Sequence, residues 1–317
     1  MASGLLHALV FDDRGGARAL DWDGVAAWSP NDGVLWINLD YTADDAASWL
    51  RERSAIDPLA LAALVDPDPR PRAVAHGEDL LLIVRGINLN EGAAPEDMIS
   101  VRAWIEARRI VTLRHRMSRS LASILDELER GRGPRSAGDF TTLFVERIVE
   151  HVVLAIDVLG DAVAACEDQV VTGPRGELRA TLADLRRRAI ALRRFLAPQR
   201  EALGKLAAIG LPWLDPLHRA RIGEAADRMT RTVEELDAAR DRAAVTQEEL
   251  ASRSAEITSA RLYVLSIITA VFLPLGFVCG LLAVPMAHDG WQFWTLCGAL
   301  VVAVALQLWL FRRRGWL

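Results

Sequence analysis

The chain has 317 residues, of which 51% are hydrophobic and 25% charged, and its formal net charge is −5. This length and composition support a large buried core and exclude a wholly disordered or wholly membrane-embedded chain. Asp289 and the three arginines at positions 312–314 carry all the formal charge after residue 262, which leaves −7 on residues 1–262. So acidic a segment argues against a nucleic-acid partner.

A cytoplasmic α/β domain is expected over residues 1–135. The predicted strands are short apolar runs bounded by Gly, Asp or Asn: Leu5–Phe11, Val34–Leu39, Leu80–Ile87, Ile99–Ile105 and Ile110–Leu113. Two helices are predicted between them, at Thr42–Arg53 and Pro58–Val65. Thr42 is the expected N-cap of the first, because acidic residues follow it in the first turn.

Long helices are expected over residues 136–262, which we predict to form a stalk or funnel domain. Asp139 is the expected N-cap of a helix that continues to about Val171 and ends at Gly173-Pro174. A second helix is expected from Glu177, with apolar residues at three- and four-residue steps. Beside them lies a cluster of arginines, which we interpret as a solvated or salt-bridged face: Arg186, Arg187, Arg188, Arg193 and Arg194.

A third helix is predicted to run from the cytoplasm into an apolar segment. Leu211–Pro216 ends the second helix, and from Leu217 the helical pattern continues without a break. The stretch from His218 to Val284 would be on the order of 100 Å long. A helix of that length needs neighbours, so the sequence favours an oligomer.

Two apolar segments near the C-terminus are each long enough to cross a membrane. Residues 263–284 and 291–311 contain no Asp, Glu, Lys or Arg, and a spanning helix needs roughly 20 residues. We predict two transmembrane helices there, a periplasmic loop at 285–290 and a basic cytoplasmic tail at 312–317. Arginines precede the first segment and follow the second, and none lies between the two segments. Both termini are therefore expected in the cytoplasm.

The first residues do not read as a secretory signal, since they lack a basic region and reach Asp12 and Asp13 too early. We therefore expect a multi-pass protein of the bacterial inner membrane, with lipid as a partner. Motifs of P-loop proteins, serine hydrolases and zinc proteases are absent from the sequence, so an enzyme is not expected. No permanently bound cofactor is predicted.

Six residues in and just before the first apolar segment recur at the spacing of a helix seam. They are Leu262, Leu265, Thr269, Leu273, Gly276 and Gly280. In a bundle around an axis, this face would line a narrow hydrophobic conduit with one hydroxyl, at Thr269. Gly276 and Gly280 also fit a small-xxx-small packing motif, and spacing alone does not separate the two interpretations.

The loop between the segments holds His288 and Asp289. Repeated around an oligomer, they would form rings of imidazoles and carboxylates that recruit divalent cations, and imidazole would favour zinc. The alternative is an ordinary polar turn. Cys279 and Cys297 present a similar choice between a soft metal site and small buried residues.

Several short motifs, two C-terminal apolar segments and a basic tail resemble the CorA superfamily of metal-ion transporters. The motifs are Arg85-Gly-Ile-Asn-Leu-Asn90, Pro95-Glu-Asp-Met-Ile-Ser100, Leu196-Ala-Pro-Gln-Arg200, Thr246-Gln-Glu-Glu-Leu250, Tyr263-Val-Leu-Ser266 and Phe272-Leu-Pro-Leu275. The zinc-transporting ZntB branch is the better match within it. The resemblance implies an α+β cytoplasmic domain, a homopentameric funnel, a central pore lined by the first span, and divalent cations as cargo, zinc foremost.

The sequence departs from the family pattern at the pore mouth. The resemblance places Gly-Met-Asn, or Gly-Ile-Asn and Gly-Val-Asn in the ZntB branch, at Ala283, Val284 and Pro285. Pro285 offers neither a side-chain amide nor a backbone N–H, and Ala283 adds a Cβ where close backbone approach was available. We expect impaired polar recognition of an incoming ion there.

Three functions follow from these features. The first is zinc transport across the inner membrane through a homopentameric pore, and the resemblance leaves proton coupling open. The second is a magnesium or cobalt channel of the CorA type, because magnesium as well as zinc could pass a pore that contacts the ion through water. The third is a transport-impaired relative with a binding or regulatory role.

Overall fold

The computed structural model describes residues 3–12, 14–170, 175–283 and 291–313. The chain divides into two compact units, Met1–Gln247 and Glu248–Leu317. The first contains a β-sheet and its helices. The second contains the C-terminal part of one long helix and the helix that follows it.

A mixed sheet lies at the centre of the first unit. Its described strands are β1 (Leu5–Phe11), β2 (Ala17–Ala19), β3 (Leu35–Asp40), β4 (Arg72–His76), β5 (Asp79–Gly86), β6 (Ile99–Ile105) and β7 (Arg109–Arg114). They are ordered β2-β1-β3-β7-β6-β5-β4. Strands β3 and β7 pair in parallel, whereas the other neighbouring pairs are antiparallel. All five predicted strands are confirmed to within one residue at each end.

The helices of the described chain follow in sequence. They are α1 (Trp22–Ala27), α2 (Asp44–Glu52), α3 (Pro58–Val65), α4 (Arg119–Glu129), α5 (Ala137–Asp168), α6 (Arg175–Ala208), α7 (Pro216–Ala283) and α8 (Trp291–Arg313), with a short 3-10 helix at Pro30–Asp32. The predicted uninterrupted helix from residue 217 onward is confirmed by α7.

The central strands are apolar on both sides because helices cover both faces of the sheet. Leu35 and Ile37 of β3 belong to a core shared with α2 and α3. Trp36, which alternates with them, points to the opposite face, where its ring lies 5.0 Å from that of Phe140 in α5. Its indole N–H donates to Thr112 Oγ1 at 2.9 Å, so this buried polar group is satisfied.

Both predicted N-caps are wrong, the first by one residue and the second by three. Helix α2 begins at Asp44 with Ala43 as its cap residue, and the Thr42 hydroxyl instead donates to Asp40 Oδ1 at 2.6 Å. Helix α5 is capped by Ser136, whose Oγ accepts from the Asp139 N–H at 3.0 Å. Asp139 therefore lies in the first turn. Helix α5 ends at Asp168, short of Val171, and Gly173-Pro174 lies outside the described residues.

Four of the five arginines in the α6 cluster are ion-paired, as one of the two sequence interpretations proposed. Arg187 and Arg188 both contact Asp184 within the helix. Arg193 reaches Asp237 of α7, and Arg194 reaches Asp68 ahead of β4. These exposed pairs contribute little stability individually. They do determine which neighbours the polar face of α6 meets.

Candidate ion pathway

The six predicted seam residues all lie on α7, within the second unit. At 3.6 residues per turn they fall within an arc of about 80°. The leucines among them are exposed in the single chain, Leu262 at 58%, Leu265 at 59% and Leu273 at 69%. An apolar helix face of this kind needs lipid or another helix to cover it.

Exposure alone does not distinguish this face from the rest of the segment. Val264, Phe272 and Phe277 are just as exposed, so the helix is apolar around its circumference. By length and composition α7 is able to cross a membrane, and the most apolar stretch of its described residues contains no buried residue. The distinction of the seam is chemical, because it carries Thr269, Gly276 and Gly280.

The hydroxyl of Thr269 is the polar side chain of the seam. It donates to the carbonyl of Leu265 at 2.9 Å, which satisfies its proton within the helix. The oxygen keeps lone-pair capacity for another donor. Apart from the backbone of α7 itself and the adjoining residues, no heavy atom of the described residues lies within 4 Å of a Cβ built at Gly276 or Gly280. The seam therefore combines one hydroxyl with two positions that lack a side chain.

The predicted pore mouth begins where the description of α7 ends. Ala283 is the last residue of the helix. Val284, Pro285, His288 and Asp289 lie outside the described residues. Their roles therefore remain predictions from sequence.

Among the described residues, no group of three or more His, Cys, Asp or Glu side chains is placed to hold a metal ion. Cys166 is a buried free thiol whose pKa is raised by burial and by Glu167. Cys297 is also free, whereas the side chain of Cys279 is outside the description, so the proposed cysteine site is untested.

Two of the resemblance motifs meet in the first unit, although they are far apart in sequence. The N–H of Arg85 donates to Oε1 of Gln199 at 2.6 Å, and Gln199 is completely buried. The guanidinium of Arg85 donates to Asp68 at 2.8 Å and lies 4.4 Å from the centre of the Phe195 ring. Burial lowers the pKa of Arg85, and the charge of Asp68 opposes this effect. This junction fixes α6 against β5.

The start of α7 is attached to the start of α5 by a buried histidine. His218 Nε2 lies 3.0 Å from Asp139 Oδ1. Its Nδ1 lies 3.1 Å from Asp215 but outside hydrogen-bond geometry. The ring packs so closely on Gly138 that a Cβ there would be 2.6 Å from it. Glycine is therefore required at position 138.

Ionic contacts continue along the same pair of helices. Arg221 of α7 makes two bonds to Glu146 of α5, at 2.9 and 2.7 Å. Burial raises the pKa of Asp139, but bonds from His218, the Arg135 N–H and Ser136 outweigh it and leave the pKa lowered. The ionised carboxylate thus strengthens the attachment of α7 to the sheet unit.

A sheet-bearing unit joined by one long helix to an exposed apolar segment is the architecture of a membrane metal-ion transporter of the CorA type. The model of the CorA-like Mg²⁺ transporter protein family matches residues 31–313. The chain belongs to this family, whose members are transporters and not enzymes.

Individual relatives cover almost the whole chain. It is 36% identical to the divalent cation transporter CmaX of Pseudomonas aeruginosa, over 99% of this chain and 97% of that protein. It is 32% identical to the zinc transport protein ZntB of Yersinia enterocolitica, again over 99% of this chain and 97% of that protein. Full-length CmaX superposes with a TM-score of 0.88 at 34% identity, covering 99% and 98% of the two chains.

A more distant structure shows the fold alone. The CorA magnesium transporter of Methanocaldococcus jannaschii superposes with a TM-score of 0.77 at 17% identity, covering 100% of both chains. The CorA-like fold, with an α/β unit and one long helix, is therefore shared at low identity.

Proposed function

We propose that this protein transports divalent cations across the bacterial inner membrane through a pore at the axis of a homopentamer. In this assembly α7 lines the pore from Leu262 to Gly280, and α8 faces lipid. The observation that carries the proposal is the seam of α7, which places Thr269 and two glycines on one side of an exposed and mainly apolar helical segment, in a chain of the CorA family.

Zinc is the proposed cargo. The sequence is similar over nearly its full length to ZntB proteins, which are zinc transport proteins, and the ZntB branch is also the better match by motifs. A pore lined by leucine, glycine and one hydroxyl contacts an ion mainly through its water shell, so magnesium and cobalt are the alternative ions. Proton coupling would have to use groups outside the spans, since neither apolar segment contains a carboxylate.

A transport-impaired relative with a binding or regulatory role is the second candidate. It is favoured by one specific observation, the Ala283-Val284-Pro285 sequence at the position of the family's Gly-x-Asn motif. Proline supplies no donor from either its backbone or its side chain. A hydrated cation would then meet a mouth with reduced hydrogen-bonding capacity.

Flux into proteoliposomes that enclose a fluorescent zinc indicator separates the two candidates. The double variant Ala283→Gly/Pro285→Asn restores the motif and is assayed beside the unaltered chain. Transport is supported if the unaltered chain admits more zinc than empty vesicles do. A further rise in the double variant shows that the pore mouth limits the zinc flux. Entry only in the double variant identifies an impaired relative. A parallel magnesium assay decides between the ions.

A further inference from the structure

A deep recess opens in the sheet unit, between α1 and α2 and over β3 and β7. Its volume is about 580 Å³, which is within the range of small-molecule sites. We call it the tryptophan pocket, after Trp22, Trp28 and Trp49 in its wall.

The aromatic wall is available to a ligand. Trp22 of α1 and Trp49 of α2 lie with ring centres 5.7 Å apart and planes tilted by 39°. Both are partly buried and pack against the edge of the sheet core. Both side chains line the recess. Indole faces carry negative electrostatic potential and attract cations more strongly than other aromatic side chains.

The charges around the pocket also favour a cation. Its wall contains Asp23, Asp45 and Glu52 against Arg53 and Arg109. Arg109 is neutralised by Glu106, to which its Nε donates at 3.0 Å. Of the two arginines in the wall, Arg53 is the one that is not paired with Glu106. Three carboxylates are therefore set against one such arginine. The pocket is net negative.

Asp45 keeps its negative charge. Burial raises its pKa, but bonds from the N–H groups of Gly4 and Ala46 and from Ser3 and Trp22 leave the pKa lowered. The Gly4 N–H donates to its carboxylate at 2.9 Å. Asp45 is thus a fixed anion, whereas Asp23 and Glu52 line the pocket and are exposed to solvent.

We propose that the tryptophan pocket binds a small organic cation with an alkylammonium or quaternary ammonium group. The cation would lie against the Trp22 and Trp49 rings, with Asp23 and Glu52 balancing its charge. In the described part of the chain, no group of three or more His, Cys, Asp or Glu side chains is placed to hold a metal ion, so the transported ion is not the occupant that this wall fits. The site lies wholly within the sheet unit and is independent of the proposed pore.

Calorimetric titration of the full-length protein in detergent tests the proposal, with choline and tetramethylammonium as probes. One site per chain is expected. Trp49→Leu should weaken binding about five- to thirty-fold through loss of the cation–π contact. Trp49→Phe keeps a ring and should lose less, and it provides the test if the leucine variant does not fold. Trp213→Phe alters an indole that is bonded to Glu78 outside the pocket and should bind normally.

The charge requirement is tested separately. Asp23→Asn/Glu52→Gln should weaken choline binding several-fold, whereas Asp44→Asn, on the same helix as Glu52 but outside the wall, should not. The neutral isostere 3,3-dimethyl-1-butanol should bind much more weakly than choline. Equal binding of the isostere, unchanged affinity in both Trp49 variants, or no heat with either cation at tens of millimolar would overturn the proposal.

Discussion

Gln199 shows how much one buried side chain does in this protein. Its Oε1 accepts the main-chain N–H of Arg85, 114 positions away. That N–H belongs to β5, and without the glutamine it would be buried with no acceptor. A buried unpaired donor costs about 1–3 kcal/mol.

We predict that Gln199→Leu lowers the stability of the full chain by about 1–3 kcal/mol. The leucine fills the space but supplies no acceptor for the Arg85 N–H. Thermal unfolding in detergent, followed by intrinsic fluorescence, measures the shift in Tm. Gln169→Leu is the matched control, because Gln169 is exposed at the end of α5. An equal shift of Tm in both variants would contradict the stabilising role of the hydrogen bond between Gln199 and the Arg85 N–H.

The bond between His218 and Asp139 makes the stability of the sheet unit depend on pH. The pKa of Asp139 is lowered in the folded protein. Its ionised carboxylate therefore stabilises the fold fully above the unfolded-state pKa of about 3.9. This stabilisation is lost as the pH falls through the lower pKa of the folded state. Asp139→Asn should cost about 1 kcal/mol at neutral pH, discounted for partial exposure.

The measurement for Asp139 is Tm as a function of pH, from 7 down to about 3. The difference between the unaltered chain and Asp139→Asn should shrink as pH falls below about 4, since the native carboxylate is then also neutral. Asp227→Asn, an exposed position on α7, controls for the loss of a surface charge. A difference that stays constant with pH would show that the carboxylate charge is not involved.

Residue-scale details were the least accessible to sequence reasoning. Ser136 and Asp139 are both good N-cap residues, and they compete for one helix start. The structure uses the serine as the cap. The partners of Arg85 and Gln199 could not be inferred because their contact depends on the packing of α6 against the sheet, which has no signature in residue spacing.

At the scale of elements, α7 carries the functional proposal. Its apolar part has nearly uniform exposure in the single chain. If the seam lines the pore, its residues meet ions and water, whereas residues on the opposite side meet lipid or α8. The two sides should then differ in their response to the same substitution.

We predict that Leu265→Ser changes the rate of zinc flux at least several-fold, because it adds a hydroxyl to the conduit one turn from Thr269. Val264→Ser is the matched control. Val264 is equally exposed, at 55% against 59%, but lies about 140° from the centre of the seam. Flux in proteoliposomes of equal protein content measures both. Equal effects of the two substitutions on zinc flux would show that the seam does not line the pathway.

Elements with a strong apolar pattern were predicted well, and weakly patterned ones were missed. β5 and β6 are almost continuously apolar and buried, and both were identified. β2, β4 and α1 were not. Helix α4 was also missed, although its buried Leu121, Ile124 and Leu128 recur at helical spacing. β4 is an edge strand, Arg72–His76, with mostly exposed or half-buried side chains, and α1 is only six residues long. Such segments form because of their neighbours more than their own sequence.

At the scale of the whole molecule, the proposed homopentamer brings five copies of the seam together. In that arrangement Thr269 of one copy would lie close to Thr269 of the next, whereas Val264 would not. The family and the apolar segments were readable from sequence. The assembly was not, because a single chain's pattern specifies which face needs a partner but not how many partners surround it.

We predict disulfide formation between copies of Thr269→Cys in a chain whose three native cysteines are replaced by alanine. Mild oxidation in membranes should give dimers on non-reducing gels, and Val264→Cys should give far fewer. An odd-numbered ring leaves one copy unpaired, so dimer formation should stop short of completion. Complete conversion to dimers would contradict a pentamer with a cysteine ring at its axis.

The parallel pairing of β3 with β7 has a consequence for biosynthesis. Leu35 pairs with Arg109 and Asp40 with Arg114, so the middle of the sheet cannot close until the ribosome has released residue 114. Until then β1 and β3 present an open apolar edge, a known hazard for aggregation. Such non-local pairing also slows folding. The nascent chain should therefore need chaperone protection early, before its membrane segments are made.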